Sequence, residues 1–572
     1  MNTFQQFRVL YRQFLFRLMD VELLSASAGG DASALLGQFG ALLIFGSLLL
    51  SLGAFGISYL TTEPGLSREA VAAVVWSEEN FMVSVTMLVV GVFALLSWDA
   101  TFLDRRDVLV LAPLPIRGPT LCAAKIAAAA SALGLTVAAW NSLAGFAWPI
   151  ALAPHGAGVV CTMRLVAAFW ITFLVAGTFL YCAVLGVQAV AAQLPRRWYL
   201  RVSSVLQIAA LVLFFGVFFF QPSLANAKAL GAPENQRALA WLPSYWFMGL
   251  LSEVSGTYAA EGHVVMAPLA LRAVVSLGVA IFVAGGAFLL SYLRTLRKIA
   301  EEPDIVPGSR GGIWLPRFGN SPQTALAQFV IRTLLRSRRH RAVLAFYLGG
   351  GCAIVAVYLE GGGIHETWMD IVGRVNGLIL VASVLMLCAA WLGTRTVFSL
   401  PLDLLANWLF RITPAPRSVD CLSAVRRALL ALAVLPVWVA TAALLLWFWP
   451  WTPAAQHLLL LGMLGSLLVD ISLRGFRKIP FTCSYLPGKS KAHMLFWFGI
   501  IPLVIAIHKL VGLELRAMAN PLSYWAMAAA LAAAAFAARK LTNASANRSG
   551  PEIQVEESAS AELVGLGLGR YP

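Results

Sequence analysis

Residues 160–193 read VCTMRLVAAFWITFLVAGTFLYCAVLGVQAVAAQ. A bilayer core of about 30 Å needs roughly 20 apolar residues in one helix, and this run exceeds that with enough surplus to tilt or kink. Arg164 lies near its start, where a long side chain snorkels toward water, and Gln188 reads as a helix–helix hydrogen bond. The rest of the chain repeats the theme. Of 572 residues, 59% are hydrophobic and 12% charged, about half the charge of a soluble fold. So few charges cannot cover a soluble surface, which excludes a secreted domain, a nucleic-acid reader and an ordinary soluble enzyme.

Eleven further stretches qualify as spans: 35–60, 81–98, 122–150, 202–220 and 265–293, then 342–359, 376–394, 428–449, 454–472, 493–513 and 521–538. With the N-terminus placed inside, all but eight of the 42 lysines and arginines fall in inner segments. The exceptions are Arg68, Arg164, Lys228, Arg237, Arg272, Arg374, Lys509 and Arg516. Positive charge collects on the cytoplasmic side of membranes, so both termini are expected inside, in a plasma or bacterial inner membrane. The expected fold is an all-α polytopic membrane protein of about 12 transmembrane helices, in two parallel six-helix repeats with cytoplasmic interfacial helices.

Five segments follow: an amphipathic interfacial helix within 1–34, a six-span half over 35–293, a linker with a second interfacial helix over 294–341, a second six-span half over 342–538, and a disordered cytoplasmic tail over 539–572. Three features recur in order in the two halves. The first is the interfacial helix. Phe4, Phe7, Tyr11, Phe14, Leu15, Leu18 and Val21 form one stripe beside Arg8, Arg12 and Arg17, and Leu326, Phe329, Val330 and Leu334 form its counterpart. Such helices lie along the inner membrane surface; a solvated basic stretch is the plainer alternative. The second is an inner elbow after the second span. Asp99, Asp104, Arg105, Arg106 and Asp107 precede Pro113, Pro115 and Arg117; Asp403 and Arg411 precede Pro414, Pro416 and Arg417. Proline cannot continue a helix, so each loop is expected to be a short helix and then a rigid turn, unless its charges merely anchor helix ends. The third is Pro243-Ser-Tyr-Trp246, echoed by Pro521-Leu-Ser-Tyr-Trp525.

Catalytic chemistry is missing from the sequence. Cys483-Ser-Tyr-Leu-Pro-Gly488-Lys489-Ser490 ends like a phosphate loop but has cysteine in place of the first glycine and no preceding strand. Seven cysteines and seven histidines are dispersed without metal-ligand spacing. No enzyme, no bound cofactor and no metal are expected. Ionisable residues look nearly absent from span interiors. Asp470 is the main candidate, and a helical ion pair with Arg474 four residues on explains it. Without an ion relay or an ATPase of its own, transport would need drive from a separate soluble subunit.

The order of interfacial helix, two spans, charged elbow and further spans with a broken outer segment resembles the permease of type-2 ABC exporters, over roughly 1–295 and 320–540. Strings such as Asp104-Arg105-Arg106-Asp107 with Leu111-Ala-Pro-Leu-Pro-Ile116, and Lys478-Ile-Pro-Phe-Thr-Cys-Ser-Tyr-Leu-Pro-Gly488, look like runs in large bacterial proteins of that type. The resemblance implies that Asp99 to Arg117 and, more loosely, Asp403 to Arg417 insert into a separate ABC ATPase subunit, dimeric and carrying ATP. It also implies re-entrant half-helices around Leu242 to Val254 and Asn520 to Trp525. The expected function is therefore a transport permease for an unidentified substrate, working as an exporter, with the lipid bilayer and the ATPase as partners and no nucleic acid. A twelve-span secondary transporter of the major facilitator type is the main rival, since Asp104-Arg105-Arg106 also resembles that family's loop between spans two and three. A lipid-acting membrane enzyme is a third.

Overall fold

A computed structural model gives the fold. It describes residues 3–19, parts of 40–54, 68–101, 114, 116–153, 158–194, 196–224, 236–256, 260–301, 319–362, 375–400, 418–474, 479–482 and 491–548. Most of these residues are helical, the remainder being turns and short irregular connections, with no strand among them. The chain separates into two compact units, Met1–Gly308 and Ser309–Pro572, a boundary inside the expected linker.

The first unit contains α1 (Thr3–Met19), α2 (Arg68–Leu96), α3 (Trp98–Thr101), α4 (Gly118–Trp140), α5 (Ala144–Leu152), α6 (Val159–Ala191), α7 (Arg196–Leu224), α8 (Gln236–Leu239), α9 (Pro243–Ser255) and α10 (Ala260–Glu301). The long α6 is central and packs on α2, α4, α5, α7, α9 and α10. Its Ala168, Phe169, Thr172, Phe173, Ala176 and Gly177 are buried, a stripe at helical spacing. Hydrophobic transfer contributes little between helices in lipid, so such a stripe holds by close packing. Gly249 of α9 shows the principle: a side-chain carbon there would lie 2.6 Å from Leu269 Cβ of α10.

The expected span 122–150 is broken. Helix α4 ends at Trp140 and α5 starts at Ala144. The free amides of Leu143 and Ala144 both donate to the Ser47 hydroxyl at 3.0 Å, a cap supplied by another segment. Asn141 accepts from Thr86 Oγ1 of α2 at 3.2 Å and donates back to the Val137 carbonyl.

The second unit contains α11 (Ser321–Arg336), α12 (Arg338–Gly362), α13 (Gly377–Val397), α14 (Ser418–Leu429), a π-turn over Leu430–Val434, α15 (Leu435–Phe448), α16 (Trp451–Ser472), α17 (Lys491–Met518) and α18 (Pro521–Arg548). Here α13 is central, touching α12, α14, α15, α16 and α17. Helix α18 runs ten residues into the expected disordered tail. Lys540 sits over the Phe536 ring at 4.8 Å and Thr542 donates to the Asp470 carbonyl, contacts that hold those turns helical.

Among the described residues, eight helices are long and apolar enough to cross a membrane. Four lie in each unit: Val74–Leu96, Gly118–Trp140, Val159–Ala191 and Met266–Leu290, then Gly377–Val397, Val419–Phe448, Trp451–Ser472 and Pro521–Ala544. The chain is an all-α integral membrane protein. Three other expected spans fall on α7, α12 and α17, which are not among the eight. Helix α7 opens with Arg196, Arg197 and Arg201 and keeps only the shorter apolar stretch Val205–Phe218. Helix α12 opens with Arg338, Arg339, His340 and Arg341, while α17 spreads His508, Lys509, Glu514 and Arg516 along its second half. Most of expected span 35–60 lies outside the described residues.

Candidate functional site

The first elbow begins where α2 stops. Ser97 makes a one-residue turn and α3 carries the chain on through Trp98, Asp99 and Thr101. Trp98 is 1% exposed. Its ring nitrogen donates to Ser203 Oγ of α7 at 2.8 Å, and its carbonyl accepts from Gln188 Nε2 of α6. Gln207 of α7 donates to the Leu95 carbonyl at 2.8 Å, and Thr101 Oγ1 donates back to the Ser97 carbonyl. Four polar bonds thus fix the point where the chain leaves the helix bundle. The elbow re-enters at Arg117, which is exposed and extended (φ −73°, ψ 131°), immediately before Gly118 and Pro119 open α4. Asp104, Arg105, Arg106, Asp107, Pro113 and Pro115 lie outside the described residues.

Helix α1 braces both sides of this loop, packing along α4 and touching α3. Tyr11 donates to Ser131 Oγ at 3.0 Å, and the Lys125 ammonium lies 5.2 Å from the Phe14 ring. Leu10, Phe14, Leu18 and Met19 are buried, whereas Phe4 is 71% exposed. Part of the apolar stripe read as membrane-facing is therefore spent on α4.

In the second unit Asp403, Arg411, Pro414, Pro416 and Arg417 also lie outside the described residues, but the entrance and exit of that elbow are described. At the entrance, the Leu400 carbonyl meets His340 Nε2 at 3.2 Å, and His340 Nδ1 pairs with Ser337 Oγ at 2.6 Å. Phe481 donates its amide to the Phe398 carbonyl and sets its ring edge-on to Phe398, Phe329 and His340. It does so at φ 68°, a left-handed conformation that is unusual for a bulky residue. At the exit, α11 lies along α14 as α1 lies along α4: Gln323 donates to Asp420 at 2.7 Å and accepts from Arg427.

Asp470 is not paired with Arg474. The partner is Arg426 of α14, whose Nε donates to Oδ1 at 2.5 Å with both side chains under 10% exposed. The same guanidinium reaches Asn543 of α18.

The helix interiors are also less neutral than the sequence suggested. Glu79, Lys125, His340, Arg426, His457, Asp470 and Glu514 are all buried. Three side chains on three helices of the second unit form one chain. Ser383 Oγ of α13 and His457 Nε2 of α16 are 2.7 Å apart, and His457 Nδ1 lies 2.7 Å from Glu514 Oε1 of α17. Exposures are 7%, 1% and 5%. The sequence reading ended its span at 513, one residue before Glu514. The available signal was positional: Glu514 falls on the stripe of Ile507, Val511 and Ala517, and His457 on that of Ala454, Leu458 and Leu461, all buried.

The order hydroxyl, imidazole, carboxylate is that of a nucleophilic triad. Ser383, however, sits within α13, where backbone amides are committed to the helix and offer no oxyanion site, and its hydroxyl lies 2.7 Å from the Leu380 carbonyl. The arrangement suits proton exchange rather than acyl transfer. Elsewhere, an apolar cavity of about 410 Å³ between α6, α7 and α10 is lined by Cys182, Gly186, Val190, Leu206 and Val283 among others, and carries no polar group suited to catalysis. Among the described residues no cluster of three metal-ligating side chains occurs. Comparison with protein-family models, curated proteins and solved structures finds no match to this chain.

Proposed function

We propose that the chain is the membrane-spanning permease subunit of an ATP-driven, ABC-2-type exporter, seated in the plasma or bacterial inner membrane with both termini cytoplasmic. It is coupled to a separate, dimeric ABC ATPase subunit through its two elbow loops. The observation that carries this reading is the shared construction of the elbows. In each unit an amphipathic basic helix lies along the helix that leaves the elbow, and polar bonds clamp the elbow's entrance. A loop fixed at both ends transmits displacement to its bundle, which a solvated connector does not.

Helix pairings support the two-repeat, twelve-span reading. Contacts α2–α4, α2–α6, α4–α6, α2–α7 and α6–α10 in the first unit correspond to α13–α15, α13–α16, α15–α16, α13–α17 and α16–α18 in the second. With α7, α12, α17 and the segment 35–60 added to the eight apolar helices, each unit has six spans.

A second reading, an ion-coupled secondary transporter of the major facilitator type, is favoured by one observation: the buried Ser383–His457–Glu514 chain, since a coupling ion must be held by such groups at membrane depth. One experiment separates the two. Affinity-purified full-length chain from its own membranes is expected to carry co-eluting ATP hydrolysis, lost when Asp104 and Arg105 are both replaced by alanine. Transport by the purified chain in liposomes under a proton gradient without ATP would overturn the ATP-driven reading and favour the second.

A further inference from the structure

We propose that Ser383, His457 and Glu514 form a proton-binding site in the second unit, with the exchangeable proton carried on His457 Nε2. The inference depends on neither reading of the drive, because a proton bound here could serve as coupling ion or as gating ligand.

Donors and acceptors fix where the hydrogens sit. The Leu380 carbonyl can only accept, so the bond to it takes the Ser383 hydroxyl hydrogen. Ser383 Oγ must then accept from His457, which places a hydrogen on Nε2. The bond between Nδ1 and Glu514 Oε1 needs one more hydrogen. The two groups together therefore hold a net charge of zero, with one hydrogen shared between Nδ1 and Oε1. Two protons are candidates for release. Loss from Nδ1 leaves a lone pair facing a carboxylate at 2.7 Å, two acceptors in contact. Loss from Nε2 keeps the Nδ1–H to Glu514 bond: the N–H bond breaks, the proton passes to water, and Nε2 regains a lone pair. The Ser383 hydroxyl then rotates from the Leu380 carbonyl to donate to Nε2. Release thus changes the site's charge from zero to minus one and turns one hydroxyl.

Water is close. Ser383 and His457 lie in the second turns of α13 and α16, and Glu514 four residues before the end of α17, so the path to the helix ends is about 9 Å. Among the described residues, the titratable groups on the elements packed against the site are engaged elsewhere or turned outward. From α18, Tyr524 donates its hydroxyl to the Gln456 carbonyl. From α15, Trp438 donates to the Leu458 carbonyl. On α12, Cys352 is engaged with Met386 and Tyr358 with His508. Arg395 bonds Ser472 at the far end of α13, the α14 residues Asp420, Arg426 and Arg427 lie toward Gln323 and Asp470, and Lys509 and Arg516 are on the exposed side of α17.

The test is a pH titration of the full-length chain, ¹⁵N-labelled at histidine, in lipid nanodiscs. The His457 resonance is assigned by its loss in His457→Gln. Its ¹⁵N signals are expected to show a hydrogen on Nε2 that is lost as the pH is raised. Glu514→Gln changes the group bonded to Nδ1 and should move the pH at which that hydrogen is lost. Ser383→Ala removes the acceptor of the Nε2–H bond and should move it as well. If Glu514→Gln fails to fold, Ser383→Ala carries the test alone. A His457 fixed in one protonation state across the range, or a midpoint unmoved by the folded variants, overturns the proposal.

Discussion

Asp470 and Glu514 are buried carboxylates in the same unit, yet their partners give them different work. Asp470 faces Arg426, whose guanidinium also reaches Asn543, so the pair acts as a tie between α14, α16 and α18. Glu514 faces an imidazole, which can switch. Removing one member of a buried pair leaves an uncompensated charge, at a cost of about 3–5 kcal/mol. Asp470→Ala should therefore lower the detergent-phase melting temperature clearly, while Arg474→Ala, beyond the end of α16, should fall within about 0.5 kcal/mol of the parent. Equal losses from both would return Asp470 to the helical pair. Neither buried carboxylate's role was legible from hydropathy, because a window average absorbs a single charge. The pairing of Asp470 was misread for a second reason: sequence spacing presumes that the helix continues.

Helices meet closely where residues are small. Gly393 of α13 faces Tyr347 of α12, and a side-chain carbon there would lie 2.7 Å from Tyr347 Cβ. Tyr347 is itself 8% exposed and cannot swing clear without leaving its packing. Gly393→Val should cost about 1–3 kcal/mol by overpacking, read as earlier loss of the folded fraction on heating; an unchanged melting curve would mean that α12 and α13 are not in contact. The positions of most long helices were legible as apolar runs, because in lipid a helix must satisfy its own backbone. The break at 141–143 was not. It depends on Ser47, a hydroxyl nearly a hundred residues away that supplies the cap, and no local pattern in 122–150 announces it. The elbows were half legible. Their proline turns are written in sequence, whereas the clamps on Trp98 and Leu400 come from Gln188, Ser203 and His340 on other elements.

At the scale of the molecule, the chain divides between Gly308 and Ser309, within a Gly/Pro-rich run that the sequence marked as a linker. If each unit owes its cohesion to its own helix pairings, the covalent connection between them should be dispensable for local stability. A protease site inserted between Gly308 and Ser309 allows the purified protein to be cut in detergent. Each unit should then keep its helical circular dichroism and its own melting transition. A collapse of either on cleavage would show that one unit depends on the other through the chain. The protonation of His457, confined to three helices of the second unit, should survive in the cut protein with its midpoint unchanged.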